Sequence, residues 1–71
     1  MHYSDHGYFP AENIRVGGVY FVPMHIENVG SQVFYIPFEV LCVTGDGVYE
    51  VRPLTESSVF WLRACSLFDK R

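Results

Sequence analysis

The run from Val33 to Leu54, VFYIPFEVLCVTGDGVYEVRPL, constrains this chain more than any other stretch. Two segments rich in β-branched and aromatic residues flank Gly45-Asp46-Gly47. Asp-Gly between such segments is a strong short-range sign of a β-hairpin, because a tight turn needs residues that accept positive φ. Two registers follow. A two-residue type I′ turn at Asp46-Gly47 pairs Cys42 with Val51, Thr44 with Tyr49 and Val43 with Glu50. A three-residue loop with Gly47 left-handed pairs Val43 with Tyr49 and Cys42 with Glu50. The first is preferred here, since it gathers Glu39, Glu50 and Arg52 on one face, with Phe38, Val40, Cys42, Tyr49 and Val51 on the other.

The remaining elements are read outward from the hairpin. Residues 1–13 (MHYSDHGYFPAEN) have no strand or helix period and are assigned as an N-terminal tail, with Tyr8 and Phe9 lying against the domain formed by residues 14–71. Ile14 to Pro23 is the first strand, with Gly17-Gly18 allowing a sharp bend. Met24 to Gln32 connects it to the second strand, turning at Asn28 to Ser31. Val33 to Thr44 is that second strand, and Pro37 in its middle calls for a bulge or bend, since proline cannot donate a ladder hydrogen bond. Val48 to Pro53 and Val59 to Arg63 are the third and fourth strands. Ala64 to Phe68 is a short helical turn or a last brief strand.

Short strands, corner glycines, a mid-strand proline and a terminal one-turn helix, in this order from Val16 to Phe68, resemble an SH3-like barrel and its Tudor and KOW-type modules. The resemblance lies in element order and not in a motif. It implies an all-β fold: a small antiparallel barrel of four to five strands with a short C-terminal helical turn. Such a fold hosts many functions and selects none.

Composition narrows the field. With 71 residues and a hydrophobic content of 49%, the chain suits one small domain and not a disordered segment. The formal charge of −3 and five scattered Lys and Arg argue against nucleic acid as the main partner, because non-specific affinity comes from neutralising phosphates. The acidic residues are too evenly spread to mimic DNA. No stretch approaches the roughly 20 apolar residues of a membrane span, and the first residues lack the apolar core of a signal peptide. A cytoplasmic setting is therefore expected, with Cys42 and Cys65 as reduced thiols. His2 and His6 flank Asp5, but zinc needs three or four ligands and His25 is the only other histidine, so neither metal nor cofactor is expected. No nucleophile with a base and an orienting group is recognisable, and the expectation is a protein that is not an enzyme.

Binding is better supported. Six Phe, five Tyr and one Trp exceed what so small a core holds, and contiguous exposed apolar surface marks interaction sites. Strand alternation puts Val59, Trp61 and Arg63 on one side and Phe60 and Leu62 on the other, both substantially apolar. The candidate partner-binding residues are Trp61, Arg63, Tyr35 and Tyr20, of the types that dominate interface energetics. The competing assignment of Trp61 is as a core residue capping an open barrel end. The expected partner is another protein or a second copy in a homodimer. The chain resembles in type the small phage- or mobile-element-encoded inhibitors of host protein complexes. A single-stranded nucleic-acid module, or a chromatin- or ribosome-type SH3-like module, is the second expectation, with the right aromatics and the wrong charge.

Overall fold

A computed structural model describes residues 7–25 and 33–70. Within them the chain is all-β. Six strands run in the order β1 (Tyr8–Pro10), β2 (Val19–His25), β3 (Val33–Val43), β4 (Val48–Pro53), β5 (Phe60–Arg63) and β6 (Phe68–Lys70), with a 3₁₀ turn at Ala64–Ser66 between the last two. They form one antiparallel sheet with spatial order β1-β6-β2-β3-β4-β5. The strands β2 to β5 are a meander, and the 3₁₀ turn carries the chain back to lay β6 beside β2. This keeps the order of elements read from the sequence, with two differences. Among the described residues there are six strands and not four or five, because Tyr8–Pro10, assigned as tail, pairs with β6. The sheet is also open, since β1 and β5 lie at opposite ends of it and do not pair.

The hairpin adopts the register that was not preferred. Val43 pairs with Tyr49 and Cys42 with Glu50. The Thr44 N–H donates to the Val48 carbonyl at 2.9 Å, and the Gly47 N–H donates to the Thr44 carbonyl at 3.1 Å. A type I′ turn would need Asp46 as well as Gly47 at positive φ. The loop adopted needs only Gly47, at φ 79°, and no non-glycine residue among those described has positive φ.

Continued unbroken, that register would set Val40 against Arg52. A β-bulge between Val40 and Cys42 prevents it and gives Val40↔Val51 and Glu39↔Arg52, pairs that neither register contains. Val40 and Val51 are thereby fully buried, and the Arg52 guanidinium donates to Glu39 Oε1 at 2.8 Å on the outer face. Cys42 changes sides and joins the charged face.

Pro37 causes no bulge. Val40 exchanges hydrogen bonds with Gly17 and Gly18 next to β2, so the alternate residues Pro37 and Glu39 turn their backbone groups towards β4. There the Pro37 carbonyl accepts from the Leu54 N–H at 3.2 Å, and β4 has ended at Pro53. The missing donor thus falls where the ladder stops.

The core lies on one face of the sheet. Tyr20, Val22, Phe38, Val40, Val51 and Leu67 are buried, with Ala11, Ile14, Ile36, Tyr49 and Leu62 packed around them. Leu67 enters directly from the 3₁₀ turn and is completely enclosed. The Tyr20 hydroxyl accepts from the Arg15 N–H at 2.9 Å and donates to the Asn13 carbonyl at 3.1 Å, fixing the segment that leads into β2. Gly18 is needed for this packing, because a Cβ there would stand 2.9 Å from the Tyr20 ring.

Candidate functional site

The surplus of aromatic side chains divides in two on the outer face. One part is internally satisfied. Tyr8 stacks on Tyr35 with centroids 4.0 Å apart, meets Phe21 edge-on at 5.3 Å, and has Lys70 Nζ over its ring, while Phe68 meets Tyr35 edge-on at 5.7 Å. This cluster ties β1, β2, β3 and β6 together, each ring pair contributing roughly 0.5–1.5 kcal/mol beyond its burial.

The other part is β5. Phe60–Arg63 is extended against β4, with Val51↔Phe60, Glu50↔Trp61, Tyr49↔Leu62 and Val48↔Arg63 opposite one another. Alternation turns Leu62 and Phe60 to the core face and Trp61 and Arg63 to the outer face. Leu62 packs against the core, and Phe60 meets Phe38 edge-on at 5.9 Å while staying 40% exposed. Trp61 is 62% exposed, the most solvent-accessible of the large hydrophobic side chains described. It does not cap an open end of the core.

The edge beyond β5 is unpaired among the described residues. The Val48 carbonyl is taken by Thr44 of the β3 side, so the alternate residues Tyr49 and Val51 face β5. They engage the backbone of Leu62 and Phe60. The N–H and C=O groups of Trp61 and Arg63 therefore point outward. The edge strand at the opposite end of the sheet, β1, is three residues long and ends in Pro10, which blunts it. No proline interrupts β5.

The electrostatics beside this edge are mixed. Glu50 stands next to Trp61 on β4 and accepts from the Cys42 thiol at 3.1 Å. That hydrogen bond, with slight desolvation and the carboxylate charge, pushes the exposed Cys42 thiol above the usual thiol range. Arg63 is exposed and has no hydrogen-bond or ion-pair partner among the described residues. On the core face, Phe60 joins Met24, Ile36, Phe38 and Pro53, with His25, Thr55 and Glu56, in lining an open groove of about 300 Å³. β5 thus presents apolar surface on both faces.

The four residues singled out from the sequence fall in three places. Trp61 and Arg63 share the outer face of the β5 edge. Tyr35 is half-buried in the separate aromatic cluster, beyond the Glu39–Arg52 pair. Tyr20 is a core residue, 7% exposed with its hydroxyl bound, and forms no surface with the others. Alternation alone could not show this, because Tyr20 and Tyr35 lie in strands apolar on both faces. Phe60 and Glu50 were not singled out, although strand pairing makes them neighbours of Trp61. Among the described residues no three His, Cys, Asp or Glu side chains could hold a metal ion, and no helix is long and apolar enough to cross a membrane. His2, Asp5 and His6 lie outside the described residues, as does the turn at Asn28 to Ser31.

No protein-family model matches the chain, and no curated protein or solved structure matches it either. The class is therefore stated from the fold alone: a small all-β domain with one blunted and one open sheet edge.

Proposed function

We propose that this chain is a non-catalytic protein-binding module, with the β5 edge as its working surface and Trp61 and Arg63 as the side chains that meet the partner. One observation supports this above others. The most exposed of the large hydrophobic residues described stands on the strand whose outward backbone donors and acceptors are unpaired among the described residues. An edge of that kind takes an added strand, with main-chain hydrogen bonds supplying affinity and flanking side chains supplying choice. Tryptophan and arginine are the residue types that dominate alanine scans of interfaces. A finer form of the proposal is a phage- or mobile-element-encoded inhibitor of a host protein complex, for which this edge would be the inhibitory surface.

The test uses wild type, Trp61→Ala and Arg63→Ala as bait in lysate of the source organism, with thermal melts of each bait. Loss of captured protein by variants that melt like wild type supports the proposal. Capture that ignores both substitutions refutes it. Salt-sensitive binding of single-stranded oligonucleotides through Trp61, read by filter binding, would replace it with the nucleic-acid reading.

A further inference from the structure

We infer that the partner this edge fits is a second copy of the same chain, joined by antiparallel pairing of β5 with β5 about a twofold axis through Leu62. The inference rests on the reading of β5 as the binding edge. Its ground is that Trp61-Leu62-Arg63 is complementary to itself when reversed. With Leu62 opposite the second copy's Leu62, Trp61 lies opposite the second copy's Arg63, and Arg63 opposite the second copy's Trp61.

Three features taken together select that register. The first is the backbone. The residues whose N–H and C=O groups point outward are Trp61 and Arg63, and this register makes each the hydrogen-bonded partner of the other across the axis. The second is the pleat. Residues directly opposite share a face, so outward Trp61 meets outward Arg63 and core-facing Leu62 meets core-facing Leu62; a one-residue slip would oppose Trp61 to Leu62 and set the two sheets inside out.

The third is charge. Arg63 has no hydrogen-bond or ion-pair partner among the described residues, and the ring and the carboxylate it could use are Trp61 and Glu50, side by side on neighbouring strands. In the paired edge the second copy's guanidinium lies beside the Trp61 indole and towards Glu50, a cation over a ring with an acid behind it. An axis through Trp61 satisfies the backbone and the pleat but sets Arg63 opposite Val59, so that neither cation stands directly opposite a ring. On the core face, the Phe60 rings and Leu62 side chains of the two copies continue one apolar strip across the junction. The contact is short, which places it with weak, concentration-dependent interfaces and not permanent ones. A self-paired edge is closed to any other protein, so the two uses of β5 compete.

The test is sedimentation of the full chain over a concentration series up to about 1 mM, with emission of Trp61 followed in parallel. Trp61 is the only tryptophan, so its emission reports this site alone. A dimer should form with rising concentration as the emission moves to the blue. Arg63→Glu should weaken it about tenfold or more, by losing the cation and adding an acid beside Glu50. Glu50→Arg added to Arg63→Glu should restore it, which a purely structural role for either residue would not do. Trp61→Ala should abolish it without unfolding the monomer. A chain that stays monomeric throughout overturns the inference, and leaves the binding proposal standing if capture from lysate still depends on Trp61. A dimer indifferent to all three variants overturns the inference by placing the contact elsewhere.

Discussion

Replacing Tyr20 by phenylalanine removes one oxygen and isolates what that oxygen does. The hydroxyl is held between two backbone groups, accepting from the Arg15 N–H at 2.9 Å and donating to the Asn13 carbonyl at 3.1 Å. The ring itself stays in the core, so no cavity opens and no apolar burial is lost. A neutral hydrogen bond contributes about 0.5–1.5 kcal/mol net, and the two freed groups are only partly buried, so water recovers some of each. The expected cost is about 1.5 kcal/mol. For a domain of 60–100 residues each kcal/mol moves the melting temperature by about 4–8 °C, so the variant should melt about 6–12 °C lower. Circular dichroism on heating is the assay. The cause is checked with Gly18→Ala, whose new Cβ would stand 2.9 Å from the Tyr20 ring. That clash should be severe with Tyr20 present and largely relieved in a Tyr20→Leu background, a non-additivity expected of touching side chains. A Tyr20→Phe protein that melts within about 1 °C of wild type would refute the idea that this hydroxyl pins the segment entering β2.

Two further outcomes are expected. Leu67→Ala should destabilise the fold by about 3 kcal/mol, since Leu67 is completely enclosed and locks the 3₁₀ turn to the core; a urea midpoint lowered by more than about 1 M checks it. In a Cys65→Ser background, alkylation of Cys42 should begin at higher pH than for a free thiol, and Glu50→Ala should bring that midpoint down. The sign follows from the raised thiol: the contact with Glu50 supports the fold at neutral pH and is lost as pH rises through the titration of folded Cys42.

The separation of roles is itself informative. Tyr20 is expected to govern stability and leave binding unchanged, whereas Trp61 is expected to govern binding with little effect on the fold. Both are aromatic residues in short apolar strands, and no local property of the sequence distinguishes them. What does is their position across the sheet. Tyr20 sits on the third of six strands across the sheet with its side chain in the core, and Trp61 sits on the last, facing away from the core.

Much of the architecture was legible along the chain because it depends on near neighbours. The Gly45-Asp46-Gly47 turn, the third strand from Val48 to Pro53 and the helical turn after Arg63 follow from turn chemistry, β-branched content and alternation. What the chain did not reveal depends on contacts distant in sequence. The hairpin register turned on whether Asp46 would accept positive φ and on a bulge that lets Val40 meet Val51, a choice made by burial and not by the turn. The strand at Tyr8–Pro10 exists because β6 returns to pair with it, and three residues carry no periodicity by themselves. The exposure of Trp61 follows from the sheet ending at β5. Local sequence sets the conformation of each segment, but the edge of a sheet is a property of the whole assembly of strands, because it is defined by the neighbour that is missing.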